Sequence, residues 1–150
     1  MIQSVEAYDQ LEEMAQALMP FYNKLPFEGK KKPEDVVNSF ASRWSELISQ
    51  GFGKIFGLWE DDKIIGGIGV VNCPALEDGA PITQEAFWYI DEKKRGSGVR
   101  LFKAAEDYAN SVGSERFVMV HLENSMPQKI KKFYERLGFT KIETGYIKEL

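Results

Sequence analysis

The segment Ala86-Phe87-Trp88-Tyr89-Ile90, continued by Glu92-Lys93-Lys94-Arg95-Gly96-Ser97-Gly98-Val99-Arg100, constrains the fold of this chain more than any other stretch. It reads as an aromatic strand feeding a basic, glycine-bearing turn. Leu101, Phe102, Ala105, Tyr108, Ala109 and Val112 carry it on as an amphipathic helix. A helix that opens from such a turn points its unpaired first-turn N–H groups at whatever lies in front, and its macrodipole adds partial positive charge there. Glycines let the backbone approach closely and the flanking cations add attraction, so the arrangement suits phosphate. Taken alone, the same Lys and Arg residues read equally well as a solvated charge run.

The remaining elements follow from periodicity and punctuation. Val5 to Met19 is helical, with Val5, Tyr8, Leu11, Met14 and Leu18 near one face and Pro20 at its end. After a loop from Phe21 to Lys32, Pro33-Glu34-Asp35 opens a second helix that carries Val36, Val37, Phe40, Trp44, Leu47 and Ile48 and stops at Gly51. Lys54 to Trp59 and Lys63 to Val71 flank the acidic turn Glu60-Asp61-Asp62 as a hairpin. Cys73 to Pro81 is a loop, and Gln84 to Ile90 is the aromatic strand. The helix after Gly98 pairs Lys103 with Asp107 on its outer side and ends at Gly113. Arg116 to Leu122 alternates as a strand. Ser125-Met126-Pro127-Gln128 has the pattern of a capping box for a last helix with Ile130, Phe133, Tyr134 and Leu137, ending at Gly138. Phe139 to Leu150 reads as one or two closing strands. The order is mixed α/β, in one domain spanning 1–150.

Composition removes whole classes of function. The net charge of −4 argues against nonspecific nucleic-acid binding and suits a cationic substrate. One cysteine, Cys73, excludes an intramolecular disulfide and a cysteine-cluster metal site; it reads as a small buried hydrophobe. One histidine, His121, cannot build a zinc site of ordinary spacing. No signal-like N-terminus or membrane-length apolar run is present, so no membrane association is expected and a reduced cytoplasmic setting is the default. Trp44, Trp59, Trp88, Tyr89 and Phe40 read as core or cleft wall rather than as a cage for a cation.

Strand, Arg95-Gly96-Ser97-Gly98, amphipathic helix, strand Phe117-Val118-Met119-Val120-His121, then Phe133-Tyr134-Glu135-Arg136-Leu137-Gly138-Phe139 resembles the GCN5-related N-acetyltransferase superfamily. The likeness runs from about Ile55 to Phe139, and two motifs in the right order are more specific than either alone. The resemblance implies an α+β fold, its central, mostly antiparallel twisted sheet splayed between the fourth and fifth strands and flanked by about four helices. It implies acetyl-coenzyme A as co-substrate, no metal, and an amine acceptor. By position, the backbone of Trp88, Tyr89 and Ile90 would bond the pantetheine arm, and Arg95, Gly96, Ser97, Gly98, Val99 and Arg100 would hold the pyrophosphate. Tyr134 would be the general acid for the departing thiolate.

Two departures from the family pattern stand out. Arg100 falls where a small residue is usual, or else the loop is about two residues short. Pro127 stands where an asparagine is common seven residues before the tyrosine, and Asn124 is then the candidate for that work. Acetyl transfer needs a neutral amine, a polarised thioester and a proton for the thiolate. A thiol pKa of roughly 8.5 makes the anion a fair leaving group, so binding and orientation carry most of the acceleration. Glu85, placed on one face with Phe87 and Tyr89, is a candidate base. His121 is another, since an imidazole suits proton removal at neutral pH; Glu123 and bulk water remain alternatives. Lys93, Lys94 and Arg100 could meet the adenosine 3′-phosphate. Acceptor choice would fall to the two N-terminal helices, and the acceptor, a small amine, an amino acid or a protein amino group, stays open, as does a homodimer. The rival readings are a non-catalytic acyl-coenzyme A sensor or interaction module and, against the acidic balance, a nucleic-acid binder using the basic turn.

Overall fold

The computed structural model describes residues 1–94, 96–122 and 126–150. Among these residues five strands form one sheet in chain order: β1 (Ile2–Ser4), β2 (Gly53–Glu60), β3 (Lys63–Pro74), β4 (Pro81–Ile90) and β5 (Arg116–Val118). The first four pair antiparallel, and β5 joins β4 in parallel. The helices are α1 (Tyr8–Ala17), α2 (Met19–Asn23), α3 (Pro33–Ser49), α4 (Gly98–Ser111) and α5 (Pro127–Arg136). This is the expected mixed α/β architecture, with the short α2 added to the four helices foreseen.

Each face of the sheet has its own core. Leu11 and Met14 of α1, with Ala41 and Trp44 of α3, pack on Val5, Ile55, Ile64 and Phe87. Phe87 is held edge-on by Trp44 at 5.6 Å and tilted against Phe40 at 5.7 Å. On the opposite face Leu101 and Ala105 of α4 pack on Leu58, Ile68 and Val70. These are the apolar stripes that the helical periodicity marked, and Trp44 and Phe40 serve as core.

The β2–β3 hairpin turns at Asp61 and Asp62, whose φ values of 48° and 58° are those of a two-residue turn of the type that matches strand twist. Lys103 pairs with Asp107 at 2.7 Å across one turn of α4. Other boundaries differ from expectation for physical reasons. The helix read from Val5 to Met19 is the shorter α1, and α2 follows it into the segment read as a loop. Pro20 sits in the first turn of α2, where a missing N–H leaves no bond unmade. The three-residue β1 carries little periodic signal and exists through its pairing with β2, from Ile2↔Leu58 to Ser4↔Phe56.

Strands β3 and β4 run on until only residues 75–80 connect them, closed by Ala75 N–H donating to the Ala80 carbonyl at 2.8 Å. Cys73 is therefore a strand residue opposite Ile82. It is exposed, not the buried hydrophobe expected. Residues 139–150 form no strand: β5, at three residues, offers little edge for closing strands to extend, and Ile142 and Tyr146 are 76% and 94% exposed. The tail is instead tethered by Glu149, whose carboxylate accepts from the Glu28 and Gly29 amides at 2.7 and 3.2 Å. Ser125 of the expected capping box lies outside the described residues.

Gly69 faces Phe87 across β3 and β4, and a Cβ at Gly69 would run into a ring already confined by Phe40 and Trp44. Gly69→Ala is therefore expected to cost about 1–3 kcal/mol in urea denaturation; an unchanged midpoint would contradict this packing.

Candidate active site

The site grows from the place where β4 loses one neighbour. Its pairing with β5 runs from Ile82↔Arg116 to Gln84↔Val118 and stops, while its pairing with β3 continues to Ile90. A cleft opens between β4 beyond Gln84 and the chain that follows Val118. This is the splay expected between the fourth and fifth strands.

A register shift shapes the cleft wall. Gly69 faces Phe87 and Val70 faces Glu85, so Ala86 is an extra residue on β4. The bulge reverses the alternation. Phe87 and Tyr89 pack with the α1/α3 core, whereas Trp88 and Ile90 pack with the α4 side. Glu85 points to α5 and shares a side with Trp88, not with Phe87 and Tyr89 as strict alternation predicted. Sequence alone could not place the extra residue, because any β4 residue can bulge.

Glu85 is 7% exposed. One carboxylate oxygen accepts from the Val120 amide at 3.1 Å and lies 3.5 Å from the Tyr134 hydroxyl. That hydroxyl donates to the Val120 carbonyl at 2.6 Å. Both backbone groups of Val120 are thus met by side chains from across the cleft. Burial pushes the Glu85 carboxyl up to about 7, against the lowering effect of the Val120 amide and the Tyr134 hydroxyl. Burial also drives the Tyr134 phenol far above its ordinary range, and the neighbouring Glu85 charge and hydrogen bond add to that.

The other expected residues fall as follows. His121 follows Val120 on the same wall and lines the cleft. Trp88, Tyr89, Ile90, Gly96, Gly98 and Val99 line it too. Gly96 has φ 115°, a conformation that favours glycine. Gly98 opens α4 and lies against the Trp88 ring and the Ile90 side chain, where an added Cβ would stand 3.5 Å from both. Ser97 is the residue before α4, and Arg100 in its first turn is exposed. Arg95, Glu123 and Asn124 lie outside the described residues. Lys94 pairs with Glu60 at 2.7 Å on the surface.

The cleft encloses about 600 Å³, within the span of roughly 300–1,000 Å³ common for small-molecule sites. Its glycine turn at one end and the Glu85–Tyr134 pair at the other fit an elongated ligand with a phosphate at the turn. Its walls include residues that the sequence reading passed over: Phe21 of α2 and Lys24 just after it, with Lys24 paired to Glu92, and Lys129, Lys132 and Arg136 on α5. The helical spacing of the last three was the available signal. Among the described residues no cluster of His, Cys, Asp and Glu could hold a metal ion, and no helix is long and apolar enough to cross a membrane.

The raised Glu85 pKa fixes a pH dependence. Between 4.5 and about 7 the folded chain holds a proton that the unfolded chain has lost, so stability falls as pH rises through that window. The total is about 3 kcal/mol. Glu85→Gln cannot ionise, so its stability relative to the parent is expected to improve by about 3 kcal/mol from about pH 4.5 to about pH 8. Denaturation at both pH values measures this; a difference independent of pH would show that Glu85 does not titrate there.

The sequence model of the acetyltransferase (GNAT) family matches residues 11–139. No curated protein matches. Solved structures share the fold at low identity. A ribosomal-protein-alanine N-acetyltransferase from Brucella melitensis biovar Abortus 2308 superposes with TM-score 0.71 at 16% identity, over 100% of this chain and 99% of that one. An aminoglycoside acetyltransferase from an uncultured soil metagenomic sample, in complex with sisomicin, gives 0.73 at 12%, over 100% and 96%. A transcriptional regulator from Bacillus halodurans C-125 gives 0.75 at 17%, over 100% and 99%.

Proposed function

The chain belongs to the GNAT acetyltransferase family, and from that premise we propose that it passes an acetyl group directly from acetyl-coenzyme A to an amine held beside it in a ternary complex. The observation that carries the reading is a single cleft with a helix-opening glycine turn at one end and a buried carboxylate–phenol pair at the other. Bound acetyl-coenzyme A supplies the activated thioester. The amides around Gly96 to Val99 hold its pyrophosphate, and the open edge of β4 at Trp88 to Ile90 lies along its pantetheine arm.

Glu85 takes the proton of the attacking amine, and its carboxyl near 7 suits that task at neutral pH. Tyr134 protonates the thiolate, leaving the Val120 carbonyl to do so. Glu85, now protonated and 3.5 Å away, returns the proton to Tyr134. His121 on the facing wall is the alternative base. The acceptor is a small amine, an amino acid or a protein amino group; similar folds act on ribosomal-protein alanine and bind sisomicin. A reduced, cytoplasmic setting accords with the exposed free Cys73.

One observation favours a second reading, an acyl-coenzyme A sensor without turnover: the Tyr134 proton is already committed to the Val120 carbonyl at 2.6 Å. The two separate experimentally. Acetyl-coenzyme A is expected to raise the melting temperature, and an amine panel with thiol detection is expected to show turnover. Tyr134→Phe is expected to lower kcat about 10²-fold while the thermal shift persists. Binding without turnover on any amine would select the sensor. A Tyr134→Phe rate equal to that of the parent would remove the acid role.

A further inference from the structure

Six charged side chains on described residues border the cleft besides His121: Lys24, Glu85, Glu92, Lys129, Lys132 and Arg136. Lys24 and Glu92 pair with each other, and Glu85 is engaged by Val120 and Tyr134. Lys129, Lys132 and Arg136 remain, spaced to form one stripe along α5 with no carboxylate partner among the described residues. Lys131, between them in sequence, instead reaches Glu135 at 3.9 Å and is not part of the cleft wall. Three like charges along one helix face repel one another, a cost that an anionic ligand removes.

The direction of α5 says which end of the cleft these cations serve. The Phe133 ring lies 5.9 Å from Trp88, and Tyr134 reaches Glu85. Phe139, farther along, lies 6.2 Å from Phe117, which pairs with Thr83 near the start of β4. The chain from α5 to Phe139 therefore runs antiparallel to β4. Residues before Tyr134 lie toward Ile90 and the glycine turn; Lys129, five residues earlier, is displaced by about 7.5 Å in that direction. Arg136 lies on the other side of Tyr134.

We propose that Lys129 and Lys132 form a second phosphate contact for the cofactor, a side-chain clamp on α5 facing the backbone amides of the Gly96–Gly98 turn. It rests on the proposed function and adds side-chain cations to the backbone amides of the turn. The phosphate is either the pyrophosphate or the 3′-phosphate, and both present the same anionic oxygens to a lysine pair.

Calorimetric titration of the full chain with coenzyme A tests the clamp without knowledge of the acceptor. Lys129→Ala with Lys132→Ala is expected to weaken binding about tenfold or more and to flatten its dependence on salt. Arginines at both positions are expected to restore it, which a loss due to misfolding would not allow. Lys131→Ala with Lys141→Ala, removing the same charge elsewhere, is expected to leave the affinity within about twofold. With 3′-dephospho-coenzyme A as ligand, a lysine effect that vanishes assigns the 3′-phosphate, and one that persists assigns the pyrophosphate. An alanine pair that binds coenzyme A as tightly as the parent overturns the clamp, as does an equal loss in the Lys131/Lys141 control. A parent chain that binds no coenzyme A overturns the proposed function and the clamp together.

Discussion

The structure turns on how the backbone of Val120 is satisfied. When two parallel strands part, the residues beyond the last pair lose their ladder bonds, and their amides and carbonyls need other partners. Here the Val120 amide donates to Glu85 and its carbonyl accepts from Tyr134. A carboxylate from β4 and a phenol from α5 replace the missing neighbour. The fork is therefore a built feature with its own hydrogen bonds, and not the frayed end of a sheet. Its construction places an ionisable carboxyl in a poorly solvated position, and the same burial lifts that carboxyl toward neutrality. Structural support and acid–base capacity reside in one side chain.

The bulge at Ala86 makes that possible. Along an unbroken strand Glu85 would lie on the side of Phe87, facing the α1/α3 core, where the rings of Trp44 and Phe40 pack and a carboxylate would lose its water. One extra residue turns Glu85 toward α5 and leaves Phe87 in the core. It also sets Trp88 and Ile90 beneath the start of α4, where Gly98 lies against both. The direction of the helix N-terminus and the position of the carboxyl thus follow from one local irregularity in β4, tolerated because Gly69 opposite leaves room for the Phe87 ring.

Much of this was legible in the residues. The aromatic strand, the helix that opens at Gly98, the amphipathic faces of α3 and α4 and the Asp61-Asp62 hairpin all come from local pattern, which sequence carries directly. Glu85 and Tyr134 were marked as candidates by the family resemblance, and the structure sets them 3.5 Å apart. What was not legible depends on pairing across the chain. The face of Glu85 required the register of β3 on β4. The role of Val120 was invisible because every non-proline residue carries the same amide and carbonyl. Strand β1 and the loss of strand after Val118 are decided by neighbours distant in sequence, as is the exposure of Cys73. The basic stripe on α5 was readable as spacing, but its meaning needed the cleft wall and the direction of the helix.

The mutual dependence of Glu85 and Tyr134 imposes an order on proton movement under the proposed reading. While Glu85 is ionised, its charge and its hydrogen bond both oppose loss of the phenolic proton. Tyr134 is then a poor acid and a good clamp on the Val120 carbonyl. Once Glu85 carries a proton, both effects cease, and a donor stands beside the oxygen that must be resupplied. Accepting the amine proton thus readies the phenol to release its own. The thiolate is protonated after the amine has been activated and not before, which ties departure of the leaving group to arrival of the nucleophile. A tyrosine in the same place without Glu85 would keep its burial and lose this coupling; a Glu85 without Tyr134 would still accept a proton but would have no hydroxyl through which to pass it on.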